Sequence, residues 1–259
     1  MGVALRVQGL VLQFEGLTAV DGVDLDVPEG SLAALVGPNG AGKTSLLNCA
    51  SGVYRTTAGA ITLAGRRIDG LAPHQIAALG VARTFQFVEL FRHMTVLENL
   101  LLGRHLHMRA GVVSGGLFWG RARREEAAHR ERVEEIIDFL ELERHRRELI
   151  GNLAYGIQKL VGLGRALAME PRLLLLDEPS TGMNRQEKED LARFLLRIKH
   201  ELHTTMLWVE HDMELVADLA DRVTVLHFGQ KIAEGPPGAA LRDPRVTEAY
   251  LGRAFAARR

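Results

Sequence analysis

Among the 259 residues there is a single cysteine, Cys49. An intrachain disulfide needs two, so a secreted disulfide scaffold and a cysteine-based zinc cluster are both excluded. An excess of charge of one sign is missing as well: Lys+Arg is 32, Asp+Glu is 32, and the formal net charge is +0. Dedicated nucleic-acid binders carry a basic excess, so no nucleic-acid partner is expected. No apolar stretch reaches the roughly eighteen residues of a membrane span, and the richest run, Leu173 to Leu176, stops at Asp177 and Glu178. Met1 leads into GVALRVQGLVLQF, which lacks the basic start and apolar core of a signal peptide. The expectation is a cytoplasmic chain that does not itself cross a membrane. Repeats of solenoid period and low-complexity tracts are absent too. What is present is ordinary globular usage, 47% hydrophobic and 25% charged, in a chain long enough to bury a full core as one compact domain, or one with an inserted subdomain.

The first thirty residues alternate with period two (Val3, Leu5, Val7, then Val23, Leu25, Val27), with turn signals at Gly16 and Pro28-Glu29-Gly30. This pattern predicts antiparallel strands. Residues 31–36 (SLAALV) read as a buried strand, followed by a glycine-rich turn and a helix from about Lys43 to near Gly52. Residues 59–67 (GAITLAGRR) read as a further hairpin strand. Between about 87 and 160 the character turns helical. Thr95 and Glu98 form a capping box ahead of Leu97, Leu100 and Leu101. The charge-dense run 121–148 has one apolar face, Val133, Ile136, Ile137 and Leu140, so it predicts a solvated helix laced with ion pairs. The interval 108–120 reads as a loop. From 172 onward strands and helices alternate: RLLLLD, a helix opened by Asn184 and Glu187, TTMLWVEH, a short helix Met213 to Leu219, and a closing hairpin RVTVLHFG–QKIAEG. Such alternation predicts an α/β fold, a mainly parallel sheet with helices on both faces.

Gly37-Pro38-Asn39-Gly40-Ala41-Gly42-Lys43-Thr44 matches the phosphate-loop pattern in full and lies between a predicted strand and a predicted helix. Its glycines let backbone N–H groups point inward around phosphate oxygens, and the helix start adds its positive dipole end. Lys43 would reach the β and γ phosphates of a nucleotide, the Thr44 hydroxyl would coordinate magnesium, and Ser45 follows in the same turn. The second element is the apolar strand ending in Asp177-Glu178. Asp177 stands where it can hold the magnesium shell, leaving Glu178 free to polarise a water against the γ-phosphate. Cys49, on the helix after the phosphate loop, reads as a small buried side chain with nothing marking it as reactive.

With these two elements in place, the chain resembles the nucleotide-binding subunits of ABC transporters over nearly its whole length. The resemblance implies a P-loop NTPase core with an N-terminal antiparallel β subdomain. Residues 1–259 would form a single ATPase domain, with an inserted helical subdomain over 87–160 ending in the signature motif. In Arg83-Thr84-Phe85-Gln86 it makes Gln86 the glutamine that contacts the magnesium shell and senses the membrane partner. His211, after Trp208-Val209-Glu210, would hold the γ-phosphate and the attacking water. Phe14 would stack on adenine, although an ordinary strand-core Phe fits the residue equally well. Ser180-Thr181-Gly182-Met183-Asn184 is similar to the family's dimer-contact loop, with Asn184 in place of the more usual aspartate.

The signature, usually LSGGQ, here reads Leu153-Ala154-Tyr155-Gly156-Ile157. Ala154 lacks the hydroxyl that usually binds the partner's γ-phosphate, so Ala154, Tyr155 and Gly156 would meet the opposite nucleotide through backbone donors and the helix start. The Leu-Ala-Tyr-Gly form resembles one of the two ATPase subunits in importers of branched-chain amino acids and related polar solutes. Phe85-Gln86, the helical insert, Glu210-His211-Asp212-Met213 and the ending Glu248-Ala249-Tyr250-Leu251-Gly252 point the same way. Ile157 departs even from that branch, where a polar residue is usual.

The resemblance implies ATP and Mg2+ as cofactors and two membrane permease subunits as partners. It also implies a second ATPase subunit, in a heterodimer or a homodimer, and indirectly an extracytoplasmic solute-binding protein. The place implied is the cytoplasmic face of the cell membrane. Arg253, Arg258 and Arg259 form a basic tail, solvated or touching anionic headgroups. Two other readings stand beside the transporter: a soluble ABC ATPase of translation or DNA repair, and an ATP-binding regulatory module without hydrolysis.

Overall fold

The computed structural model describes residues 2–86, 89–108 and 121–256, with 121–123 and 251–256 given by backbone alone. Two sheets organise the chain. The first is antiparallel, in the order β2-β1-β4-β5. It is built from β1 (Val3–Phe14), β2 (Leu17–Pro28), β4 (Ala58–Leu63) and β5 (Arg66–Arg67). The alternation in the first thirty residues therefore becomes one long hairpin, β1 on β2. Its two-residue turn, Glu15-Gly16, has positive φ at both positions, 37° and 95°, as the twist of a tight hairpin requires.

The second sheet has six strands in the order β10-β9-β3-β8-β7-β6. They are β3 (Leu32–Val36), β6 (Val81–Thr84), β7 (Leu173–Asp177), β8 (Thr205–Val209), β9 (Arg222–His227) and β10 (Gln230–Gly235). Strands β9, β3, β8, β7 and β6 run parallel, and β10 closes the edge antiparallel to β9. The three central strands are buried at every residue, which is why they read as continuous apolar runs rather than alternating ones.

Both faces of this sheet are covered, and the side chains divide strictly by parity. Leu32, Ala34, Val36, Leu174, Leu176, Met206 and Trp208 face one cluster. Ala33, Leu35, Leu173, Leu175, Leu207 and Val209 face the other, which also holds Leu5, Val7, Leu10 and Val23 of the first hairpin. Each such fully buried Leu or Val contributes about 1.5–3 kcal/mol relative to leaving it exposed.

The helices are α1 (Lys43–Ala50), α2 (Pro73–Ala78), α3 (Val96–Gly103), α4 (Arg121–Phe139), α5 (Tyr155–Leu167), α6 (Arg185–Glu201), α7 (Met213–Leu219), α8 (Pro237–Ala240) and α9 (Pro244–Ala256). Thr95 caps α3 and Asn184 caps α6, each in a reciprocal box with Glu98 and Glu187. Among the described residues between β6 and β7 the regular elements are helices joined by turns, and α3, α4 and α5 pack their apolar faces on the larger cluster through Leu100, Val133, Ile137 and Val161. The polar side of α4 carries the expected ion pairs, Arg130 with Glu126 and Arg132 with Glu135 and Glu170. The loop expected over 108–120 falls, apart from Met108, outside the described residues, as do Arg258, Arg259 and the side chain of Arg253.

Candidate functional site

Four parallel strands deliver the motif residues at their C-terminal ends, where open α/β sheets place their ligands. Strand β3 runs into the loop 37–42, β6 leads to Gln86, β7 ends at Asp177 before Glu178, and β8 precedes Glu210 and His211. They border a cleft of ≈890 Å³ lined by Asn39, Gly40, Ala41, Gly42, Lys43, Thr44, Ser45, Gln86, Glu178 and His211, together with Phe14.

The loop is shaped by backbone crowding. Gly42 has φ 98°, and a Cβ there would lie 2.4 Å from the Ala19 carbonyl oxygen. Gly40 has φ 80° with nothing within 4 Å of such an atom, so its backbone faces open space. Helix α1 starts at Lys43 with no side-chain cap on its first N–H groups. An uncapped, left-handed glycine turn at a helix N-terminus is suited to an anion. Lys43 is buried, and its ammonium donates to the loop's own carbonyls, Gly37 O at 2.7 Å and Pro38 O at 3.0 Å. Gly37 and Pro38 thus act from behind the loop, outside the cleft lining. On the same helix Cys49 is buried, and burial pushes its thiol up to about 11, which keeps it an inert protonated side chain at neutral pH.

The acidic pair divides its work. Asp177 is buried and its Oδ2 accepts from Arg83 Nη2 at 2.8 Å, while Oδ1 has no partner among the described residues. Glu178 sits in left-handed backbone, φ 47°, a conformation that costs a non-glycine residue about 1–2 kcal/mol. Its N–H donates to Val209 O at 2.9 Å, which holds it in place. The sequence leaves its carboxylate free; the structure engages both oxygens. Gln86 Nε2 donates to Oε2 at 2.6 Å, and His211 Nε2 lies 2.5 Å from Oε1. Three residues far apart in the chain therefore meet in one polar cluster at the cleft.

Phe14 is not a core strand residue. It stands at the hairpin tip, 41% exposed, edge-on to Tyr54 with ring centroids 5.1 Å apart. Tyr54 carries no signal in the sequence, nor do Leu17, Thr18, Ala19 and Phe228, which line the cleft, while Thr181 of the expected dimer-contact loop lines it too. Lys159 escaped as well: its Nζ donates to Gln86 O at 2.7 Å, although burial weakens its hold on the proton.

The signature lies apart from this cleft. Ala154 is exposed and precedes α5, whose start has no side-chain cap. A Cβ on Gly156 would lie 2.2 Å from Glu187 Oε1, and one on Gly182 would lie 2.8 Å from the Tyr155 ring. Tyr155 and Gly156 are thus grouped with Gly182 and Glu187, and none of Ala154, Tyr155 and Gly156 lines the cleft that holds Lys43. Ile157 is half-buried and packs on the larger core cluster, a physical reason for an apolar residue there.

A glycine loop around an uncapped helix start, a carboxylate pair at the end of the neighbouring strand and a glutamine and histidine converging on it define a phosphate-loop nucleotide hydrolase. The ABC transporter family model matches residues 20–181, and a second model, the branched-chain amino acid ATP-binding cassette transporter, matches 230–256. This chain belongs to the ABC transporter family and is an ATPase of that type. It is 41% identical over 96% of its length, and 98% of the relative's, to the high-affinity branched-chain amino acid transport ATP-binding protein LivG of Salmonella typhimurium. It is 40% identical over the same shares to BraF of Pseudomonas aeruginosa, of the same description. Its fold is similar to the ADP conformation of an ATP-binding cassette of an ABC transporter: TM-score 0.85, 33% identity, covering 97% of this chain and 99% of that one. A nucleotide-free cassette gives a TM-score of 0.84 at 32% identity, over 96% of this chain and 99% of that one.

Proposed function

We propose that this chain is the ATP-hydrolysing subunit of an importer for branched-chain amino acids or a related polar solute, working at the cytoplasmic face of the membrane on two permease subunits. The observation that carries this reading is the cluster of Gln86, Glu178 and His211 on the same cleft as Lys43. Near-full-length similarity to LivG and BraF supports the solute class. Among the described residues no helix is long and apolar enough to cross a membrane, so permease subunits would supply the path. The helices over 87–160 would act as one inserted unit within the single domain.

Phe14 would stack on adenine, backed by Tyr54. Residues 39–45 would wrap the phosphates, with Gly37 and Pro38 supporting the loop from behind and the Lys43 ammonium turning from their carbonyls toward the phosphates. A divalent cation fits the site: Asp177 Oδ1 is a buried acceptor without a partner, and Thr44 is exposed at the helix start. Among the described residues no group of three or more His, Cys, Asp or Glu could hold a metal. That accords with Mg2+, which is usually held by one or two protein groups plus phosphate oxygens and water. Bound there, Mg2+ would neutralise phosphate charge. Glu178 would orient and deprotonate the attacking water, and His211 and Gln86 would hold the carboxylate in place. Ala154, Tyr155 and Gly156 would serve the nucleotide of a second ATPase chain, in a heterodimer whose partner contributes the fuller signature. An extracytoplasmic solute-binding protein would act only through the permeases. The intact cluster around Glu178 favours this over a regulatory module without hydrolysis.

Purification of the tagged chain from membranes, with its companions identified by mass spectrometry, tests the assignment. Two permeases and a second cassette are expected; a translation or DNA-repair complex in their place would sink it. Substituting Ile157→Gln should change turnover of that assembly by less than about tenfold, because one hydrogen bond is worth about 1 kcal/mol and Ile157 serves packing. A larger gain in phosphate release would show that the signature limits the rate.

A further inference from the structure

Arg83 is the penultimate residue of strand β6, beside β7 and in register with Leu175, two residues before Asp177. Its guanidinium is buried and branched across three elements. Nη2 donates to Asp177 Oδ2 at 2.8 Å, and Nη1 donates to Asn48 Oδ1 at 2.6 Å and to Ser51 Oγ at 3.0 Å. Side-chain exposure is 7% for Arg83 and 5% for Asp177. Phe85 lies over the guanidinium, 5.1 Å from ring centroid to its carbon. Asn48 belongs to α1, the helix that begins with Lys43 and Thr44, and Ser51 follows it. One planar cation therefore joins the phosphate-loop helix, the acidic strand and the stretch leading to Gln86.

The carboxylate oxygens of Asp177 are unequal as a result. Oδ2 is committed to Arg83, whereas Oδ1 is buried without a partner. A carboxylate that is free to rotate exchanges its oxygens; one clamped by a guanidinium that is itself anchored at two further points cannot. We infer that Arg83 is a positioning residue for the divalent-cation shell: it fixes Asp177 so that Oδ1 alone is presented to the metal, at a set distance from the phosphate-loop helix. Outer groups that orient a metal ligand in this way typically alter metal affinity by about 10–100-fold when removed. Lysine is no equivalent, because a single ammonium cannot bridge Asn48, Ser51 and Asp177 in one plane.

This inference rests on the nucleotide reading above, and its test separates the two. Binding of AMP-PNP to the purified full chain is measured by calorimetry, once with EDTA and once with Mg2+, and the ratio of the two affinities is the readout. Arg83→Met should leave the affinity in EDTA near that of the unmodified chain and reduce the tightening by Mg2+ about 10–100-fold. Arg83→Lys should fall between the two. Asn48→Ala, which keeps the Arg83–Asp177 pair and loosens its anchor, should reduce the Mg2+ response less than Arg83→Met does; it provides the test should Arg83→Met fail to fold. An unchanged Mg2+ response in either folded variant overturns the inference, as does an equal loss with EDTA and with Mg2+, which marks a purely structural role. Failure of the unmodified chain to bind AMP-PNP in any condition would remove the nucleotide reading itself.

Discussion

Replacing Glu178 by glutamine should lower steady-state ATP turnover by about a hundredfold or more while leaving ATP binding intact. A positioned general base contributes about 10²–10⁴ to rate, and the amide keeps the size of the carboxylate without its basicity. Position and chemistry separate cleanly here. The Glu178 N–H bond to Val209 O and the left-handed backbone fix the side chain's origin whatever its end group. Gln86 can still donate to the remaining carbonyl oxygen, so the cluster loses its negative charge rather than its shape. Because the phosphate loop is untouched, nucleotide still enters, and the ATP-filled closed pair of cassettes should accumulate. Phosphate release by the assembled complex, run beside equilibrium ATP binding and size-exclusion chromatography, reads all three. Near-normal hydrolysis would take Glu178 out of the mechanism.

The second large effect is expected from Lys43→Ala, and it falls on binding. Lys43 Nζ is held by two carbonyls of its own loop, so removing it withdraws a cation from the phosphate cradle and also two donors that keep the loop curved. A hydrogen bond to a charged group is worth about 1.5–3 kcal/mol, and each 1.4 kcal/mol is a factor of ten. ATP affinity should therefore fall by roughly tenfold to a hundredfold, and hydrolysis should fall with it. Titration calorimetry on the isolated chain checks this. Unchanged affinity would contradict the phosphate-loop assignment, whereas Glu178→Gln should leave that same titration unmoved.

The contrast also shows which parts of the site a sequence can carry. Contiguous elements were readable because local physics writes them locally. Gly37 to Thr44 encodes a turn and a helix start in eight consecutive residues, and Leu173 to Asp177 encodes a strand buried on both faces. The capping boxes at Thr95 and Asn184 are equally short-range and occur where the spacing puts them. Arg83 illustrates the opposite. It stood in a motif with no role to give it, because its partners lie 35, 32 and 94 residues away in the chain. Glu178 reads as unencumbered along the chain for the same reason: His211, 33 residues on, reaches it only once β7 and β8 pair in register. Along the chain Phe14 fits core and cleft equally well; in space it stands at the hairpin tip beside Tyr54. Ile157, a departure from a motif when read along the chain, is ordinary core packing when read in space.

The most direct measurement is uptake of radiolabelled leucine into vesicles carrying the complete complex, with its solute-binding protein outside and ATP inside. If this cassette couples hydrolysis to import, uptake should require internal ATP and should collapse when this chain carries Glu178→Gln, although the complex still assembles and still binds ATP. Undiminished ATP-dependent uptake with Glu178→Gln in this chain would contradict the account.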